Sequence, residues 1–91
     1  MIVDVRGPDE FNGELGHIKD AQNIPLAEFP QRVVDLDRRE LVLVCKTQIR
    51  SAKAATMLKD AGFRDVTVLR GGMLEWARQD RAVEGPGAAP V

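Results

Sequence analysis

The sequence is short of several things, and each shortage removes a class of function. Among its 91 residues there is one cysteine, so no disulfide can form within the chain and no dithiol pair can cycle. There is one histidine, and it stands 28 positions from that cysteine, a spacing unlike that of zinc ligands. Aromatic residues number four, and 13 basic residues face 14 acidic ones. With neither a basic field nor a stacking surface, nucleic acid is not the expected partner. No apolar run approaches the roughly 18 residues a membrane span needs, and no basic-then-apolar leader opens the chain. What is present is an ordinary globular mix, 44% hydrophobic and 30% charged. That points to one small soluble domain, and the unpaired thiol to a reducing compartment, most simply a cytoplasm.

The apolar pattern alternates between strand and helix. Met1 to Arg6 is β-branched and apolar and stops at Gly7-Pro8. Asp9 to Gly13 suits a short helical turn, and Ala21 to Ile24 a short strand ended by Pro25. Leu26, Phe29, Val33, Val34 and Leu36 fall near helical spacing with Pro30 among them, which predicts a short or broken helix. Leu41 to Cys45 is a continuous apolar run of strand length, the pattern of a strand covered on both faces. A helix is expected from about Ser51, with Ala54, Leu58 and Ala61 as its stripe, Ala55 and Met57 widening it, and Gly62 ending it. Val66 to Leu69 predicts another strand, Gly71-Gly72 a tight turn, and Met73 to Arg81 a last helix with Met73, Trp76 and Ala77 inward. The expected organisation is a domain over residues 1–81 and a flexible tail over 82–91. Strands alternating with helices imply an open parallel sheet. Because such a domain seldom starts on an interior strand, the chain is expected to begin inside a longer one.

In an open parallel sheet, ligands bind at the carboxyl edge of the strands, where Arg6, Cys45 and Arg70 all end theirs. Cys45 also precedes a helix start, whose free N–H groups and positive dipole end would face the sulfur. Lys46, Arg50 and Lys53 add local positive charge. Such surroundings lower a thiol from about 8.5 to roughly 3.5–7.5. The amides between Cys45 and Ser51 suit an anion cradle. A thiolate there is expected to act as a nucleophile on a small anionic substrate. Arg50 would either steady that anion or pair with an acid behind the loop. Asp4 and Arg6 read as a structural ion pair or hydrogen-bond support, and His17, the single histidine, as a general base or a structural residue.

The heptapeptide Cys45-Lys46-Thr47-Gln48-Ile49-Arg50-Ser51 resembles the active-site loop of rhodanese-like domains, a cysteine, four residues, then arginine and often serine. Asp4-Val5-Arg6, Gly16-His17-Ile18 with Ala21 to Pro25, and Ala61-Gly62-Phe63 with Gly71-Gly72 and Trp76 are similar to that family's other signatures, in order. The resemblance implies an α/β fold, an open parallel sheet of about four strands flanked by helices, lacking the family's first strand and helix. It implies sulfur transfer without metal or organic cofactor. Cys45 would take sulfur from a donor such as thiosulfate or glutathione persulfide as a persulfide and pass it to a thiol, a protein cysteine or cyanide. Lys46, Thr47, Gln48, Ile49, Arg50 and Ser51 would form the substrate cradle. A fused domain is a further implied partner, with the chain then acting as a sulfur-accepting or docking module. Related phosphatases place five residues between cysteine and arginine; four here favours a sulfur-sized ligand. Many active members carry glycine in mid-loop, and Gln48 in its place is expected to strain the backbone if that position needs positive φ.

Overall fold

The computed structural model of the chain describes residues 1–33, 36 and 40–85. The elements in chain order are β1 (Ile2–Asp4), α1 (Pro8–Phe11), β2 (Gln22–Asn23), a 3₁₀ turn (Leu26–Glu28), α2 (Phe29–Arg32), β3 (Leu41–Val44), α3 (Ile49–Asp60), β4 (Val66–Val68) and α4 (Gly72–Arg78). The four strands form one parallel sheet in the order β2-β1-β3-β4. Val3 pairs with Gln22 on one side and with Leu43 on the other, and Leu43 pairs with Val68. The strand made wholly of branched apolar residues, β3, is therefore one of the two central ones.

Each face of the sheet carries its own core. On one, Val3, Val5, Leu41 and Leu43 pack with Phe29 and with Ala54, Ala55 and Leu58 of α3. On the other, Val44 and Met73 pack with Ile18, backed by Trp76 and Val83. The uninterrupted apolar run of β3 follows from this double coverage, since alternate side chains point into two different cores. On α3 the buried positions are Ser51, Ala54, Ala55 and Leu58, spaced three, four and seven apart. Full burial of Leu58 alone is worth about 1.5–3 kcal/mol.

The helix around Pro30 is short, as expected: a 3₁₀ turn delivers the chain to Phe29, and Pro30 falls in the first turn of the four-residue α2, where an amide hydrogen is not needed. Val34 lies outside the described residues. Several boundaries differ from the sequence expectation, each for a local reason. Helix α3 begins at Ile49, two residues before the expected start. Ala61 is exposed because the helix has ended: its N–H caps the last turn, Gly62 takes φ +94°, and Phe63 N–H returns to the Leu58 carbonyl. Ala77 is exposed as well, and α4 stops at Arg78 instead of Arg81. The first residues of the expected tail are tied down. The Trp76 indole N–H donates to the Ala82 carbonyl at 2.9 Å, and Glu84 exchanges two backbone hydrogen bonds with His17. Residues 86–91 lie outside the described part. Among the described residues, no helix is long and apolar enough to cross a membrane.

Candidate active site around Cys45

Cys45 directly follows β3 and Ile49 opens α3, so the segment between them spans the carboxyl edge of the sheet. Cys45 is 1% exposed, whereas Lys46, Thr47, Gln48 and Ile49 are all exposed, Ile49 to 67%. The thiol thus sits at the floor of the loop and the four intervening residues at its rim. Ser51 is fully buried beside it. Its backbone N–H donates to Sγ at 3.4 Å, and its Oγ lies 3.3 Å from the same sulfur. Ser51 Oγ is also 3.2 Å from the Gln48 carbonyl. Its single proton goes either to that carbonyl or to the sulfur. A protonated thiol can donate to Oγ while Oγ–H holds Gln48. A negatively charged sulfur takes the hydroxyl proton instead. The first turn of α3 therefore supplies one fixed donor and one rotatable donor to the sulfur.

The loop is held from two sides. From α4, the Met73 and Leu74 amides donate to the carbonyls of Cys45 and Lys46 at 2.9 and 3.0 Å. Gly72, at φ +57°, lies flush against the loop backbone. A Cβ there would stand 2.2 Å from the Thr47 carbonyl oxygen and 2.3 Å from that of Cys45. The Gly71 N–H donates to Gln48 Oε1 at 3.0 Å. From α1, Glu10 accepts two hydrogen bonds from the Arg50 guanidinium, at 2.6 and 2.9 Å. Those bonds are the main reason the Glu10 carboxyl is lowered from an ordinary 4.5 to about 2, and they raise Arg50 in turn. Of the two roles open to Arg50, the side chain is engaged in the second, pairing with an acid.

Gln48 sits at φ −159°, outside the left-handed region, so the absence of glycine costs no left-handed strain. Its side chain is committed to Gly71, and the Thr47 carbonyl lies under Gly72. Lys46 makes no ion pair among the described residues and borders a 250 Å³ cavity together with Asp9, Glu14 and Leu15.

Beneath the site, Asp4 and Arg6 are buried to 0% and 1% exposure and bonded through both carboxylate oxygens, Nη2 to Oδ2 at 2.8 Å. Arg6 Nη2 also donates to the Gly16 carbonyl at 2.7 Å, and Asn23 Nδ2 donates to the Asp4 and Arg6 carbonyls. This network ties β1, β2 and the Gly16 loop together. The His17 ring stacks on Phe11, centroids 3.8 Å apart, with Nδ1 2.9 Å from the Phe11 carbonyl. Two site residues escaped sequence reasoning. Glu10 carried only a weak signal, an acid in the first turn after Gly7-Pro8. The contact between Gly72 and the loop was legible only as a tight turn at Gly71-Gly72.

Comparison with known proteins agrees with this geometry. The family model for the rhodanese-like domain matches residues 1–79. A sulfurtransferase of Allochromatium vinosum is 33% identical over 87 residues, covering 94% of this chain and 79% of that protein. The probable adenylyltransferase/sulfurtransferase MoeZ of Mycobacterium tuberculosis is 41% identical over 87 residues, 86% of this chain but 20% of the larger protein. A rhodanese-related protein from Thermoplasma volcanium superposes with a TM-score of 0.84 at 28% identity, covering 92% of this chain and 82% of that one. The chain spans 64% of the length of another curated relative, so the lengths of these proteins vary widely around a shared domain.

Proposed function

The chain belongs to the rhodanese-like domain family, and from that membership we propose that it is a sulfurtransferase working through a persulfide on Cys45. The observation that carries the proposal is the pair of Ser51 donors, N–H at 3.4 Å and Oγ at 3.3 Å, converging on a sulfur at the head of a helix. In the first half-reaction the Cys45 thiolate attacks the outer sulfur of a donor. With thiosulfate the S–S bond breaks and sulfite leaves with the electron pair; with an organic persulfide a thiolate leaves. In the second, an acceptor thiolate or cyanide attacks the outer sulfur of the Cys45 persulfide. The Cys45–sulfur bond breaks and the Cys45 thiolate is restored. The Ser51 amide and hydroxyl face Cys45 Sγ, the sulfur that is anionic as it attacks the donor and again when the acceptor releases it. The four-residue spacing to Arg50 supports a sulfur-sized ligand over phosphate. Lys46, Thr47, Gln48 and Ile49 form the rim a donor meets, while Arg50 shapes the cradle through Glu10.

The proposal is tested by thiocyanate formation from thiosulfate and cyanide. Wild type should turn over and Cys45→Ser should not; equal negligible rates would remove thiosulfate as a donor. A second reading, a sulfur-relay module within a larger protein, is favoured by the match to one fifth of the mycobacterial relative. It predicts slow turnover with thiosulfate and fast loading from glutathione persulfide or a fused partner.

A further inference from the structure

Arg70 stands two residues beyond β4, on the same sheet edge as Cys45, and the chemistry above makes no use of it. A 250 Å³ cavity opens beside it, walled by Leu69, Arg70, Gly72, Trp76, Gln79 and Arg81. Arg81 is held by neutral groups: its Cζ lies 5.1 Å from the Trp76 ring centroid and its Nε donates to Gln79 Oε1 at 2.9 Å. Trp76 is itself anchored through its indole N–H to Ala82. The acid in the cavity wall, Glu75, is already occupied by two hydrogen bonds from Arg78 and one from Gln79. Among the described residues neither Arg70 nor Arg81 has an acidic partner. Two uncompensated guanidinium groups, one of them pre-positioned, therefore border one cavity. That cavity shares Gly72 with the floor of the sulfur loop, where Gly72 touches the Cys45 and Thr47 carbonyls. Planar guanidinium groups bind oxyanions, carboxylate and phosphate alike, through paired N–H donors.

We infer that this cavity is an oxyanion subsite for the sulfur partner, taking the carboxylate of an acidic thiol or its persulfide. The inference rests on the proposed sulfur transfer for its role, but the site itself can be measured without it. The probe for the site is succinate, titrated into the Cys45→Ser protein while following fluorescence of Trp76, the single tryptophan. Saturable quenching is expected, lost in an Arg70→Gln/Arg81→Gln variant and kept in Arg64→Gln, a control before the opposite end of β4. Inorganic phosphate is the second arm. Quenching by phosphate with none by succinate overturns the assignment to a carboxylate. The probe for the role is sulfur-loaded wild-type protein offered mercaptosuccinate or 2-mercaptoethanol. The double variant should raise KM for mercaptosuccinate about fivefold, the scale of exposed charge contacts, and leave 2-mercaptoethanol unchanged. Equal effects on both thiols overturn the role. Failure of both thiosulfate and glutathione persulfide to load Cys45 overturns sulfur transfer and with it the role, while the succinate titration still decides whether the oxyanion site exists.

Discussion

Replacing Gly72 by alanine should damage this protein more than the same change at any other glycine among the described residues. The residue holds φ +57°, a conformation costing a non-glycine residue about 1–3 kcal/mol. The added Cβ would stand 2.2 Å from the Thr47 oxygen, 2.3 Å from the Cys45 oxygen and 2.7 Å from the Lys46 carbonyl carbon. All three are backbone atoms, so no side chain can swing aside, and overpacking of this kind adds about 1–3 kcal/mol. The sum, about 2–6 kcal/mol, compares with a total stability of about 5–14 kcal/mol for a chain of this length. Urea unfolding followed by Trp76 fluorescence measures the loss. The control is Gly7→Ala: Gly7 has φ −66°, and its nearest neighbour to an added Cβ is Glu10 Oε1 at 4.0 Å. That change should lie between neutral and about 1 kcal/mol stabilising. Because the loop must move to admit the Gly72 methyl, sulfur loading of Cys45 should slow in whatever fraction stays folded. Equal midpoints for the two alanine variants, with loading at the wild-type rate, would refute the claim that Gly72 braces the loop.

The remaining predictions concern the charges around the same loop. Glu10 is lowered to about 2 when folded against an ordinary 4.5, so its pairing with Arg50 stabilises fully above pH 4.5 and is lost as pH falls through about 2. Since the two side chains are 39% and 35% exposed, screening leaves about 1 kcal/mol. Glu10→Gln should flatten the acid limb of a stability-versus-pH curve by that amount; the exposed Glu75, shifted in the same direction, cancels in the difference. Arg6→Ala strands the buried Asp4 carboxylate and should cost about 3–5 kcal/mol in urea unfolding. An Asp4→Leu/Arg6→Met double variant should recover a substantial part of that loss, and no recovery would contradict the ion-pair account. Ser51→Ala should reduce the rate of sulfur loading about 10–100-fold while leaving the unfolding midpoint within about 1 kcal/mol. An unchanged rate would remove the hydroxyl from the mechanism.

The elements legible in the sequence were those that follow from local pattern. The run Leu41 to Val44 announced a doubly covered strand because it is apolar throughout and of strand length, and it is one of the two inner strands of the sheet. Cys45 with Arg50 and Ser51 announced the loop, because a thiol at a strand end followed by a helix start is a chemical arrangement as much as a structural one. Arg50 left two roles open, since the choice depended on Glu10, 40 positions away and placed by α1. Gln48 was expected to strain the loop if its position needed positive φ, but it sits at negative φ with its side chain bonded to Gly71. That bond is a tertiary contact, invisible to spacing. Ala61 and Ala77 misled for a related reason: alanine fits both a buried stripe and an exposed helix end, and only packing separates the two.

The most direct test of sulfur transfer is the intact mass of the protein after incubation with thiosulfate. Wild type should gain one sulfur, lose it on addition of cyanide, and show neither change as Cys45→Ser. A wild-type mass that stays fixed with both thiosulfate and glutathione persulfide, or a gain that persists in Cys45→Ser, would contradict a persulfide on Cys45.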